Sequence, residues 1–435
     1  MSKVKAKNDK QFGSKGELTP EEKKIASHYK RIGTKYYLYS TIPTAKKEPV
    51  KILKPWTKTF IIDDYGRDVY NQIEKFIEFV LVPDNTINYK RKIGGCYNLY
   101  EPNQFKPKAG EYNNTSIFLN HIFGDYFNIG IDYLTILFTK PAEKLPALCL
   151  VSKEQKTGKS TFLEWLCKFY GDNAVILGNE DFASNFNTSW ASKLIVGIDE
   201  SFIEKKEVKE KIKRLVTANS ILAEQKGVDK ARRDFIGKFI LLSNNEENFI
   251  QMDKEDSRFF VLKIPTVQKE DPYLLDKLID EVPAFLNFLQ NRKINHQKES
   301  RLWFKSKDYE TEALRLVVKS SKAMIEKILI YYLSDLSGNM KAIKENESYN
   351  EIKITPKRLS EAIKNDVKFP TGLHLKIAEI LKSWNLKSNK KSERYNFPIF
   401  EDINIQGEII RDIAFNCETG MYYTIPFSLI DSLNN

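Results

Sequence analysis

Four short segments carry residues whose types and order suit phosphate chemistry. The first is Gly158-Lys159-Ser160-Thr161, which follows an apolar run from Leu145 to Val151 and a polar loop from Ser152 to Gly158. Backbone N–H groups gathered at a helix N-terminus make a concave cradle for phosphate oxygens. A lysine placed there reaches the β- and γ-phosphates, and a serine hydroxyl ligates Mg²⁺. These roles fall to Gly158, Lys159, Ser160 and Thr161, with Ser160 also on the metal; the pattern's first glycine is replaced by Lys153. The second segment is LIVGIDES, an apolar run ending in Asp199-Glu200. Asp199 would hold the metal through its water shell, and Glu200 would polarise an attacking water as general base. A strand that merely ends in two acids at a solvated edge is the alternative. The third is Asn244, at the end of KFILLSNN, placed to contact a γ-phosphate or the attacking water. The fourth is Arg258, just before FFVLKI, which could stabilise charge on a phosphoryl group transferred in a neighbouring subunit. A structural surface pair with Asp256 is the other reading of that arginine.

These residues need strands and helices to hold them. Leu145–Val151, Leu194–Ser201, Lys238–Asn245 and Phe259–Ile264 read as apolar strands. Phe162, Leu163, Trp165, Leu166 and Phe169 put an apolar face on a helix directly after Lys159. Asp181–Lys193 reads as a short helix and turn, and Lys205–Asn219 as a charged helix. Ser220–Phe239 reads as a hairpin-like segment carrying Lys226-Gly227, Lys230, Arg232 and Arg233, able to follow a nucleic-acid backbone or simply to be a solvated basic turn.

The flanks are less specific. Residues 1–22 form a basic arm. Residues 23–110 are an α+β region with strands at Lys35–Ile42 and Thr59–Gly66 and a helix at Val69–Val80. Residues 111–144 form a helical collar, 145–268 the phosphate-binding core and 269–340 a helical region. From about Tyr349, Thr355 caps a helix with Pro356 at its first position, and Thr371 caps a second. A strand, basic turn and strand then place Lys387, Lys390, Lys391 and Arg394 on a wing, so 345–435 reads as a winged-helix-like DNA-binding domain. The last stretch, with strand-like MYYTIPF, has no assignment.

The 435 residues carry a formal charge of +11, which suits a polyanionic partner or a lysine-biased surface. Cys96, Cys149, Cys167 and Cys417 show neither zinc spacing nor a disulfide framework, and the four histidines form no ligand pair. With no signal peptide and no membrane-length apolar run, a reducing cytosol is expected, and no membrane partner.

Taken in order, Lys159-Ser160, Asp199-Glu200, the Lys226-Gly227 hairpin, Asn244 and Arg258 resemble the superfamily 3 helicases, most of all the helicase portion of phage and mobile-element primase–helicases. IKRLVTANSILAEQKG, EVPAFLNFLQNRKI and ESRLWFKSKDYETEAL support the likeness, which spans roughly Tyr29 to Leu333. It implies an AAA+-like parallel sheet, ATP and Mg²⁺ as cofactors, a homo-hexameric ring and ATP-driven movement on single-stranded DNA. It also implies Asn244 as sensor, Arg258 as a trans-acting finger, and Lys226 or Lys230 as pore contacts. No clustered metal-binding acids precede the core, so priming would come from a separate primase or polymerase. A replication initiator that binds an origin with little unwinding is the competing expectation.

Overall fold

The computed structural model describes residues 18–43, 50–184, 186–199, 206–225, 228–247, 249–250, 252, 256–342, 349–367, 372–405 and 408–434. Glu200, Lys226, Gly227, Thr371 and most of the N-terminal arm lie outside them. The chain forms two compact units, one of residues 1–84 and 88–101, the other of 85–87 and 102–435.

In the first unit α1 (Pro20–His28) opens with a capping box, Thr19 and Glu22 each satisfying the other's backbone N–H. The strands β1 (Tyr29–Ile32), β2 (Lys35–Ile42) and β3 (Val50–Trp56) follow, then α2 (Lys58–Asn71) and β4 (Glu74–Phe76). They make a sheet of order β3-β2-β1-β4, with β1 and β4 parallel. A smaller sheet joins β5 (Phe79–Val80), β6 (Lys92–Ile93) and β7 (Cys96–Asn98) in the order β5-β7-β6. Two expectations are corrected here. Thr59–Tyr65 is helix, not strand, begun where Thr57 caps α2 by accepting the Phe60 N–H, and Gly66 at φ 82° kinks the helix. Val69–Val80 is the end of that helix followed by β4 and β5. Phe76 is buried while Ile77 is largely exposed, an alternation that fits pairing with β1 and not a helical stripe.

The second unit begins with α3 (Asn113–Phe123) and α4 (Phe127–Thr139), separated by a single 3₁₀ turn at Gly124–Tyr126. Glu281 caps α3 from far along the chain, accepting the N–H groups of Asn114 and Thr115 at 3.1 and 2.7 Å. The core then runs β8 (Ala147–Val151), α5 (Lys159–Tyr170), β9 (Ala174–Leu177), α6 (Asn179–Ala183), β10 (Ile195–Ile198), α7 (Lys206–Val216), β11 (Ser220–Gln225), β12 (Val228–Asp234), β13 (Lys238–Ser243) and β14 (Phe259–Lys263). The five-stranded sheet is parallel in every pair, in the order β14-β8-β13-β10-β9. β8, β10 and β13 are buried along their whole length, as strands covered by helices on both faces must be. Gly197 lets α5 lie close on β10: a Cβ there would come within 2.5 Å of Leu163. β11 and β12 form an antiparallel hairpin set apart from the sheet.

Next come α8 (Leu274–Asp280) and α9 (Val282–Asn291), broken at a proline in the first turn of α9, and the long α10 (Glu312–Ala342). Residues 349–434 add β15 (Glu351–Ile354), α11 (Pro356–Ala362), α12 (Leu373–Ser383), β16 (Glu393–Ile405), β17 (Glu408–Gly420), β18 (Tyr423–Pro426) and α13 (Phe427–Asn434). Thr355 caps α11 as expected; the residue preceding α12 is Gly372 at φ 99°. The hairpin of this module is β16 with β17, and its strands close at the Ile405–Glu408 pair. Lys387, Lys390 and Lys391 therefore lie in the loop leading into β16, not at the hairpin's tip, and only Arg394 is on a hairpin strand.

Candidate nucleotide site

In a parallel sheet the connections from neighbouring strands leave in opposite directions at one place, and the crevice there, beyond the carboxyl ends of the strands, is where ligands bind. Here α5 leads from β8 out to the far edge strand β9, while the chain after β13 returns across β8 to β14, so the crevice opens between β8 and β13. A cleft of about 370 Å³ occupies it, lined by Gln155 to Thr161 from the loop and α5, Asp199 from the end of β10, and Ser243 and Asn244 from the end of β13. The fold thus brings Gly158, Lys159, Ser160, Thr161, Asp199 and Asn244 to one cavity.

The loop between β8 and α5 is held from several sides. Gly158, the residue before α5, has φ 85°, a left-handed conformation that only glycine adopts without strain. Lys159 is buried, and its Nζ donates to Thr157 Oγ1 at 3.1 Å, with longer contacts to the Ser152 and Glu154 carbonyls. Burial pushes the Lys159 pKa down, while the carboxylates of Asp199 and Glu246 push it back up. The loop therefore sets a partly desolvated cation at the N-terminus of α5, an arrangement able to take a polyphosphate. Ser160 and Asp199 offer hard oxygen donors to the same cleft, a set that suits Mg²⁺ shared with phosphate oxygens.

Sequence reasoning missed three supports of this loop. His121 Nε2 lies 3.0 Å from the Thr157 carbonyl, bringing α3 against the loop. The Ser152 N–H donates to the Ser243 carbonyl at 3.1 Å. Glu246 is buried and accepts the Lys153 N–H at 2.9 Å. Each partner is remote in sequence, so no local pattern marks it.

Arg258 is not in this cleft. Its carbonyl accepts the Ala147 N–H, so it sits where β14 and β8 begin, at the opposite edge of the sheet from the loop. Five strand residues separate the two edges by roughly 15 Å. Its Nη1 lies 3.5 Å from Asp256, but that carboxylate is buried and pairs more closely, at 2.5 Å, with Lys213 of α7. The basic hairpin stands between α7 and β13. Arg232 and Arg233 pair with Leu222 and Ile221 at its base, and Arg232 Nε donates to Ser220 Oγ at 3.1 Å. Lys230 lies on β12, nearer the hairpin's end, its side chain beyond the described atoms. A groove of about 450 Å³ at the base adds Lys211 and Arg214 to Arg232. Lys390 and Lys391 are exposed, in a loop that Asn389 fastens to Tyr422: its N–H donates to the Tyr422 carbonyl and its Oδ1 accepts the Tyr422 N–H.

The signature of a family of unknown function, DUF5906, matches residues 150–258, about a quarter of the chain, from β8 to Arg258. No curated protein matches the chain. Among solved structures, the apo structure of the NrS-1 C terminal region (305-718) is similar, with a TM-score of 0.52 at 15% identity, covering 89% of this chain and 96% of that one. The A form apo structure of the same region gives 0.53 at 16% identity with the same coverage. The chain has the fold of the NrS-1 C-terminal region. The likeness to NrS-1 extends over nearly the whole of both chains, beyond the stretch that the family signature covers. Among the described residues no helix is long and apolar enough to cross a membrane.

Proposed function

We propose that this chain is an ATP-hydrolysing DNA helicase of the superfamily 3 kind, serving replication of a phage or mobile element. The observation that carries the reading is the convergence of Lys159, Ser160, Asp199 and Asn244 on one crevice at the switch point of a parallel sheet. In it, Gly158 to Thr161 cradle the phosphates, and Lys159 neutralises their charge. Ser160 and Asp199 hold Mg²⁺, which when bound supplies charge compensation to the phosphoryl oxygens. Glu200 takes a proton from the attacking water and Asn244 orients that water.

Arg258, at the other edge of the sheet, serves the cleft of the next protomer in a homo-hexameric ring. Lys226, Lys230, Arg232 and Arg233 follow the backbone of single-stranded DNA from the hairpin. Residues 345–435 act as a winged-helix-like module whose Lys390 and Lys391 meet phosphates, and a separate primase or polymerase supplies the primer. ATPase rate with and without single-stranded DNA, together with the mass of the assembly in a non-hydrolysable nucleotide, tests the whole. Unstimulated turnover by a monomer defeats it. Strong duplex binding without strand displacement would instead favour the origin-binding initiator.

Two further outcomes are expected. Asn244→Ala should lower kcat by about 10- to 100-fold and leave KM for ATP within about threefold, because a water-orienting group acts in the transition state more than in the ground state. Arg232→Ala and Arg233→Ala should each weaken single-stranded DNA binding without regard to sequence. Each should also reduce the slope of log affinity against log salt by about 0.7. An unchanged salt slope in both variants would remove these arginines from the DNA path.

A further inference from the structure

The polar loop after β8 opens on Lys153 where the phosphate-loop pattern has glycine. Lys153 is not among the residues with positive φ; of the non-glycine residues described, those are Lys156, Trp303 and Asn385. The backbone at this point therefore makes no demand for glycine. What fixes it is a carboxylate. Glu246 lies three residues beyond β13 and is buried, and its two oxygens serve two other strands. Oε1 accepts the N–H of Lys153, two residues beyond β8, at 2.9 Å. Oε2 pairs with Nζ of Lys263, the last residue of β14, at 2.9 Å. One side chain thus fastens together the carboxyl ends of three neighbouring strands, β13, β8 and β14, the first two of which border the cleft. Its neighbour Glu247 adds contacts of 3.1 Å to Lys153 Nζ and 3.2 Å to Ser320 Oγ of α10, but the Lys153–Glu247 pair is exposed at both ends and contributes little.

We propose that Glu246 is a positioning residue of the nucleotide site: it holds the mouth of the phosphate loop in place of the missing glycine turn and locks that loop to the strand bearing Asn244. The claim rests on the nucleotide reading above only for its effect on ATP; the anchoring itself is a property of the free protein. Burial pushes the Glu246 carboxyl up, but the Lys153 N–H, the paired Lys263 ammonium and the nearby charge of Lys153 outweigh it and hold the carboxyl below its ordinary range, which keeps it an ionised acceptor at neutral pH. A backbone N–H that loses such a buried acceptor exchanges it for water or nothing, and the loop's mouth loosens.

The test uses the full chain with Glu246→Ala, Glu246→Asp and Glu246→Gln. Aspartate keeps the charge but is one methylene too short to reach Lys153; glutamine keeps the reach and an acceptor oxygen. Two readouts are paired. Amide hydrogen exchange of the peptide spanning Ser152–Gly158, without nucleotide, should quicken in the alanine and aspartate variants and stay near wild type in the glutamine variant. The Kd for a fluorescent ADP analogue should rise about tenfold in alanine and aspartate and less than threefold in glutamine. If Glu246→Ala does not fold, the aspartate–glutamine contrast decides alone. Wild-type exchange in folded Glu246→Asp overturns the proposal even where ADP binds normally. Faster exchange in a protein whose wild type binds no ADP upholds the anchoring and instead defeats the ATPase reading.

Discussion

Lys159→Ala should lose ATP turnover by at least about a thousandfold, a loss on the order of 4 kcal/mol of transition-state stabilisation. The structure gives the reason. The Lys159 ammonium is withdrawn from water, yet its closest partner is a neutral hydroxyl at 3.1 Å, with carbonyls only at 3.5 Å. Burial has already pushed its pKa down. Such a cation is poorly served until an anion arrives, and a phosphate is an anion that a helix N-terminus favours. Nucleotide affinity should fall with turnover, by about 10- to 100-fold in a titration with the fluorescent ADP analogue. Glu200→Gln should separate the two, abolishing hydrolysis while ATP still binds, because a general base acts only on the water. Turnover at the wild-type rate in both variants would end the catalytic reading of the cleft.

Arg258→Ala should be equally inactive alone and yet recover activity when mixed with Lys159→Ala. Arg258 lies at the amino end of β14, across the sheet from the cleft of its own chain. An arginine supplied from outside a phosphoryl-transfer site contributes about 10³- to 10⁵-fold to turnover. In a mixed ring, an intact cleft on an Arg258→Ala protomer can face an intact Arg258 on a Lys159→Ala protomer, restoring a working junction. A steady-state ATPase titration of one variant into the other should pass through a maximum between two near-zero ends. A flat line would place Arg258 outside catalysis, leaving it as the partner of a buried Asp256–Lys213 pair.

The core of this fold is written locally and its supports are not. β8, β10, β13 and β14 are short apolar runs that no amphipathic helix would show, and polar residues beyond the carboxyl ends of β8, β10 and β13 could be read directly as candidate site residues. The Thr59–Val80 stretch misled because Ile61, Val69, Ile73 and Phe76 are spaced ambiguously, and pairing of β4 with β1 decided the outcome. The lysines at 387–391 looked like a turn because they are polar and charged, whereas the hairpin they precede closes at Ile405–Glu408. Glu246 and His121 reach the loop between β8 and α5 through space, and a single sequence holds no trace of contacts between residues so far apart.

α10 draws a final consequence. Ala313, Leu314 and Val317 are embedded in the core around the parallel sheet. Ile325, Leu329, Leu333, Leu336 and Met340 of the same helix lie in the interior of the C-terminal module. A helix of 31 residues is a shaft about 46 Å long, and a shaft conveys angle as well as distance. Each residue inserted just beyond Ser321 would swing the module about 100° around the shaft and advance it about 1.5 Å, while seven would return it nearly to its starting bearing about 10 Å farther out. The direction in which the C-terminal module faces is therefore set by residue count, as the thread of a screw sets where its head comes to rest.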